Sequence, residues 1–316
     1  MQPILNRQII EETYQRIQPF TNRTPVMQSR QLNKQLNAEI FFKCENLQRV
    51  GAFKMRGAVN AVLSLSVDKR KKGVATHSSG NHAQALALAA REAGIPAHIV
   101  MPETAPQVKV NAVKDYGAQI YFCEPTLAAR EAKLAEIVEV TGATFIHPYN
   151  NELVIAGQAT AAMELIKELE QPLDIIITPV GGGGLLSGSI LATQHFSPQT
   201  QVWAGEPEGA DDAYQSWKAS KLLPQTAPNT IADGLLTSVG NINWQIIAAG
   251  VEKIITVSDE EIIAAMRFLW ERMKLVVEPS GAVPLAAIQK AGKAVNGKRI
   301  GIILSGGNVD LSKLPF

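Results

Sequence analysis

Four short segments, far apart in the chain, carry residue types that combine into one kind of chemistry: Gly51–Ala58 around Lys54, Ser78–His82, Gly181–Leu185 and Ser305–Asn308. A lysine forms a Schiff base with an aldehyde once its surroundings lower the ammonium pKa, because only the neutral amine attacks. Glycine-rich turns that follow a strand and open a helix offer backbone N–H groups and the positive end of a helix dipole to an anion. A late serine at a strand end suits a heteroaromatic nitrogen. A lone lysine reads as a solvated surface residue; the other three segments change that reading.

Gly181, Gly182, Gly183 and Gly184 come straight after an apolar run and before a helical one, which is where a phosphate would sit. The loop lacks the Gly-Lys-Ser/Thr ending of a nucleotide P-loop and the third glycine of a dinucleotide fingerprint. Ser78, Ser79, Gly80, Asn81 and His82 repeat the strand-to-helix arrangement with hydroxyls and an amide added, fit to clasp a carboxylate and a ring hydroxyl. The plainer role for such residues is a helix N-cap. Ser305, before two glycines, has a plainer role too, as a turn residue.

These segments need a frame. From residue 40 onward, β-rich runs such as Val74–His77, Ile175–Val180 and Arg299–Leu304 alternate with runs of helical period such as Asn81–Ala93, Pro106–Tyr116 and Leu185–His195. That rhythm predicts an α/β fold with parallel sheets flanked by helices. Ser258 and Glu261 have capping-box spacing. A small lobe over residues 73–148 is expected as an insertion into a larger one built from 1–72 and 149–316.

Lys plus Arg number 30 against 29 Asp plus Glu, and aromatics make up 6%, so no basic, aromatic-rich face for nucleic acid is expected. The run Lys69–Lys72 reads as a solvated turn. Cys44 and Cys123 lie in apolar runs and are expected to be buried free thiols, in keeping with a reducing compartment. Met1–Gln18 has helical spacing without the basic and apolar regions of a signal peptide, and no apolar run reaches the roughly 18 residues of a membrane span. A soluble, cytoplasmic protein is the expectation.

From the Arg23-Thr24-Pro25 segment to Asp310, the chain resembles the fold-type II pyridoxal phosphate enzymes, within them the serine racemase and serine/threonine dehydratase group. The resemblance implies a two-lobed architecture like that of the tryptophan synthase β subunit, a homodimer, and amino acid substrates. It also implies that Lys54 links to the cofactor and exchanges a proton with the substrate Cα, and that Phe53 packs beside the ring. Asn81 would bond the ring's 3′-oxygen, Gly181 to Leu185 the phosphate, and Ser305 the ring nitrogen, with Gly234 and Glu278 lining the pocket.

Ser79 occupies the place where racemases of this group carry the acid/base of the opposite face, and many threonine dehydratases have alanine there. Glu206, Ala210 and Asp212 resemble that group's divalent-metal site, two carboxylates and a carbonyl suited to Mg²⁺, Mn²⁺ or Ca²⁺. His77 and Arg130 match pocket-side positions, and Arg130 would admit a second substrate carboxylate. Ala52 and Val50 depart from the usual pattern before Phe-Lys, which puts a nucleotide effector site at that loop in doubt. The implied activity is serine racemisation with water elimination. The rivals are a threonine/serine or threo-3-hydroxyaspartate dehydratase, a nicotinamide-dependent oxidoreductase, and a non-catalytic sensor.

Overall fold

The chain builds two strands of one sheet, leaves it to complete a second, and then returns to add the other four strands of the first. In the computed structural model, which describes residues 5–105 and 107–316, the larger sheet has the order β1-β2-β10-β7-β8-β9. Its strands are β1 (Val26–Met27), β2 (Glu39–Cys44), β7 (Ile175–Pro179), β8 (Gln201–Pro207), β9 (Lys253–Val257) and β10 (Arg299–Leu304). The smaller sheet, β5-β4-β3-β6, uses β3 (Val74–His77), β4 (Ala97–Pro102), β5 (Gln119–Cys123) and β6 (Thr144–Phe145). All pairings within the sheets are parallel except β1 with β2, so the crossovers run through helices.

In chain order the helices are α1 (Arg7–Ile17), α2 (Arg30–Leu36), α3 (Lys54–Leu63), α4 (Val67–Lys72), α5 (Asn81–Glu92), α6 (Gln107–Asp115) and α7 (Leu127–Thr141). There follow α8 (Glu152–Glu168), α9 (Gly184–Phe196), α10 (Asp212–Ala219), α11 (Asn241–Gly250), α12 (Asp259–Met273) and α13 (Pro279–Ala291). The larger sheet is covered on both faces. Ile300 and Ile302 of β10 join the core under α12 and α13, while Ile303 points to the opposite core under α8 and α9. Burying a side chain of that size contributes about 1.5–3 kcal/mol. The capping box of α12 is formed: Ser258 N–H donates to Glu261 at 2.8 Å, and Glu261 N–H to Ser258 Oγ at 3.3 Å.

Sequence and structure part at several points. The Lys69–Lys72 run is the last turn of α4 rather than a turn between elements, though it is solvated as expected. Cys44 is buried but Cys123 only half so, because β5 is an edge strand. The N-terminal helix starts at Arg7, and Met1 to Ile4 of the expected Met1–Gln18 helix lie outside the described residues, as does Pro106 of the expected Pro106–Tyr116 helix.

Helix α3 had no counterpart in the sequence reading, yet it joins the two sheets, packing on α8 of the larger and α5 of the smaller. The α3–α8 contact is backbone against backbone, since a Cβ on Gly157 would stand 2.5 Å from the Gly57 Cα. Beneath it lies a closed ionic cluster. Arg56 donates to both oxygens of Glu45 (2.7 and 2.8 Å) and of Glu164 (2.8 Å each), and Lys43 Nζ donates to Glu164 (2.6 Å) and to the Thr24 carbonyl (2.7 Å). Burial alone would raise the Glu45 carboxyl, but Arg56 overrides it and holds the group below its ordinary range. Two cations face two carboxylates, and α3 is fixed from below.

Candidate active site

Lys54 is the first residue of α3, at the end of a loop with unusual backbone. Val50 has φ 56°, a left-handed conformation costly for a β-branched residue, and Gly51 has φ 68°. The loop is zipped to the segment after β10: Phe53 N–H donates to the Ser305 carbonyl at 3.0 Å and Gly307 N–H to the Gly51 carbonyl at 2.9 Å. Two of the four predicted segments are therefore hydrogen-bonded neighbours. Lys54 Nζ donates to the Pro148 carbonyl at 3.0 Å and lies 5.1 Å from the Phe53 ring centre and 6.0 Å from that of Tyr149. Burial lowers the amine to about 8, against the opposing pull of Glu278. A neutral carbonyl partner leaves the proton easy to lose.

The Gly181–Gly184 loop joins β7 to α9 as expected. Gly183 has φ +93°, and a Cβ on Gly182 would stand 2.3 Å from the Tyr149 ring, so the loop needs glycine at both places. Asn243 of α11 donates to the Gly182 carbonyl at 2.9 Å and to the Tyr149 carbonyl at 3.1 Å, fixing the loop's outer side. Among the described residues, the backbone N–H groups of Gly181 to Leu185 find no protein acceptor, and α9 has no side-chain cap. Convergent free donors at a helix start bind an anion.

Asn81 opens α5 and reaches across to the larger sheet's side, donating to Glu278 Oε1 at 2.9 Å. Burial raises Glu278 to about 8, helped by the nearby charge of Asp233 and opposed by the Asn81 amide and by Lys109. Gly306 allows this approach, since a Cβ there would stand 2.5 Å from Glu278 Oε1. Gly234 N–H donates to Ser280 Oγ at 3.0 Å, two residues after Glu278 in the first turn of α13, and Ser305 is buried at the end of β10. Lys54, Phe53, Asn81, Glu278 and Ser305 thus gather around one place.

Ser78, Ser79 and Gly80 form the bend between β3 and α5. The cap of α5 is Gly80, with no side-chain cap bond; Ser78 Oγ accepts from the Gly80 N–H at 3.4 Å, which leaves the Ser79 hydroxyl unspent on the helix end. His82 Nε2 meets the Ile146 carbonyl at 3.1 Å, while its buried Nδ1 has no protein partner. Burial, with Lys54 adding to it, lowers this imidazole to about 3, so it is neutral and the Ile146 bond makes Nε2 its donor. Burial also lowers His77, followed by the charge of Arg130 on α7. His147 stacks edge-on against Tyr149 at 4.5 Å and is lowered to about 4 by burial and then by His77.

Residues 17–306 match the model of the pyridoxal-phosphate dependent enzyme family. The chain belongs to that family. It is 50% identical over 303 residues to a beta-hydroxyaspartate dehydratase of Paracoccus denitrificans, covering 96% of each chain. It is 48% identical to a serine racemase of Dictyostelium discoideum, covering 96% of this chain and 95% of that one. The structure of maize serine racemase superposes with a TM-score of 0.95 at 44% identity, over 98% of this chain and 95% of that one. The architecture is that of the fold-type II enzymes, and the family match with its enzymatic relatives makes the chain an enzyme of this kind rather than a nicotinamide-dependent oxidoreductase or a non-catalytic sensor.

The residues of this pyridoxal-phosphate dependent enzyme fit its cofactor: unpaired N–H groups at α9 for the phosphate, and an amine lowered to about 8 for the aldehyde. Two residues that hold the site together, Tyr149 and Asn243, escaped the sequence reading, and a third, Asn308, was seen in its segment but given no role. Tyr149 and Asn243 lie in segments with no motif; Asn308 ends a motif, but its partners, Val50 and Asn81, are far away in sequence.

The expected metal-site residues run from the end of β8 (Glu206) through the following turn (Ala210) to the start of α10 (Asp212). Both Glu206 oxygens accept α10 N–H groups, from Ala213 at 2.9 Å and Tyr214 at 2.8 Å, so this carboxylate already caps a helix. Asp212 accepts from Val239 N–H at 2.9 Å through Oδ2, while its buried Oδ1 has no partner. Burial raises both carboxyls, Asp212 to about 6. Among the described residues no group of three or more His, Cys, Asp or Glu side chains is placed to hold a metal, and no helix is long and apolar enough to cross a membrane.

Proposed function

We propose that this enzyme acts on L-serine and related β-hydroxy amino acids, interconverting their enantiomers and eliminating water, in the cytosol and as a homodimer. The observation that carries the reading is Lys54, a half-buried amine lowered to about 8 with only a neutral carbonyl as hydrogen-bond partner. Pyridoxal phosphate, when bound, supplies an electron sink that acidifies the substrate Cα–H. Lys54 takes and returns that proton on one face. Ser79, free of any capping duty, serves the other face. Racemisation needs a donor on each face, whereas elimination needs one strong base. Ser305 meets the ring nitrogen with a neutral hydroxyl, which favours prompt elimination or reprotonation over longer-lived carbanion chemistry. Gly181 to Leu185 hold the phosphate, Phe53 packs on the ring, and Gly234 and Glu278 line the pocket.

Replacing Ser79 by alanine is expected to cut racemisation by about 10²–10⁴-fold while leaving elimination from the L enantiomer far less affected. Equal losses of D-serine and pyruvate formation would make Ser79 a positioning residue and end the two-face mechanism.

A second reading, dehydration of threo-3-hydroxyaspartate, is favoured by the cationic Arg130, whose charge is felt at His77. Arg130 would hold the extra carboxylate, with Ser78, Gly80 and Asn81 at the other. Incubation with L-serine and with L-threo-3-hydroxyaspartate, measuring D-serine, pyruvate and oxaloacetate, separates the two: faster oxaloacetate formation, abolished by Arg130→Ala, selects the second. A divalent cation, Mg²⁺, Mn²⁺ or Ca²⁺, is part of either reading, held by Glu206, the Ala210 carbonyl and Asp212. The unpartnered Asp212 Oδ1 supports that site.

A further inference from the structure

Asn308 has no part in the chemistry above, yet both N–H groups of its amide are committed. It donates to the Val50 carbonyl at 2.7 Å and to Asn81 Oδ1 at 2.8 Å. A backbone carbonyl can only accept, so the Val50 contact fixes which end of the Asn308 amide is nitrogen. The polarity then propagates. Asn81 must turn its oxygen towards Asn308, leaving its own N–H groups on the other side, where one meets Glu278. An asparagine amide is nearly symmetric in shape, and without such a constraint either end can face a ligand.

We propose that Asn308 is a positioning residue that orients the Asn81 amide, so that Asn81 presents a donor to the cofactor's ring oxygen. This rests on the reading of the site given above. Gly51 makes the arrangement possible, since a Cβ there would stand 2.6 Å from Asn308 Oδ1. Asn308 thereby joins the loop before Lys54, the start of α5 and the turn after β10.

The test strips the wild type, Asn308→Ala, Asn81→Ala and the double variant of cofactor and retitrates each with pyridoxal 5′-phosphate by absorbance, with thermal unfolding of the stripped proteins alongside. Asn308→Ala is expected to weaken binding about threefold to tenfold. Added to Asn81→Ala it is expected to do no further harm, because it acts through Asn81. Losses that multiply, or unchanged binding in Asn308→Ala, overturn the proposal. Val50→Gly relieves the left-handed residue, so full restoration of binding in the Asn308→Ala background would mean that Asn308 serves only that loop; no restoration supports the orienting role. Should Asn308→Ala fail to fold, Asn308→Asp keeps the shape, loses the donors, and is expected to bind more weakly still. A wild type that takes up no pyridoxal phosphate overturns the functional reading and this inference together, whereas normal uptake by wild type and Asn308→Ala alike overturns this inference alone.

Discussion

Lys43 and Lys54 are both lysines drawn away from water, one below α3 and one at its tip, and their partners differ in charge. Lys43 donates to the Glu164 carboxylate and belongs to a cluster of two cations and two anions. Lys54 donates to the neutral Pro148 carbonyl, and its nearest carboxyl, Glu278, is itself raised to about 8. A buried charge that is matched is locked in place; one that is not matched is ready to change state. The same contrast recurs at β8, where Glu206 and Asp212 are two carboxyls buried side by side, both raised, with one oxygen unpartnered.

The largest expected effect falls on the unmatched lysine. Lys54→Ala should lower turnover by about 10³-fold or more with little change in the urea midpoint, as removal of the proton-transferring group predicts. Appreciable residual turnover in that variant would break the contrast.

Lys43→Met should do the reverse, lowering unfolding free energy by about 3–5 kcal/mol, because Glu164 is left partly unmatched in the interior. Folded Lys43→Met protein with normal turnover would confirm that the lower lysine is structural. A loss of turnover at unchanged stability would erase the distinction.

A pH series sharpens the comparison further. The Lys54 amine is neutral above about 8, so its rate of condensation with pyridoxal phosphate should climb as pH rises through 8 and level off above it. An exposed lysine keeps climbing to about pH 10. Stopped-flow absorbance with the stripped protein gives the midpoint, and a midpoint near 10 would show that burial does not tune this amine.

The smallest effect is expected at the carboxylate pair. Mg²⁺ or Ca²⁺ at about a hundred times its Kd should add about 2.7 kcal/mol to the wild type and nothing to Asp212→Asn. Equal gains in both proteins would move the cation elsewhere.

The legible parts of this site are those where chemistry and backbone are local. Gly181–Gly184 could be read because a strand, four glycines and a helix follow each other directly, and the free N–H groups follow from that order. Lys54, Asn81 and Ser305 were each visible inside a short motif. Helix α3 was hidden because Gly57 in its interior argues for a loop, at about 0.5–1 kcal/mol relative to alanine. Only the fold explains it: a Cβ there would stand 2.4 Å from Gln158 Nε2 on α8. Tyr149 and Asn243 were missed for the same reason, since what they do is meet each other and Gly182 across 94 and 61 residues of chain. The bond from His82 to the Ile146 carbonyl was likewise hidden, because nothing local to the motif announces a partner 64 residues away.

The strand order of the larger sheet bears on how the protein is made. β10, the last strand in the chain, sits between β2 and β7 rather than at an edge. The four strands of the smaller sheet span residues 74–145 and can pair while synthesis continues, but the larger sheet stays split until its final strand has left the ribosome. Ser305 follows that strand directly, and its carbonyl is what fastens the loop leading to Lys54. A nascent chain interrupted before β10 therefore holds its reactive amine in a loop with nothing to zip against, and competence waits for the strand that closes the larger sheet.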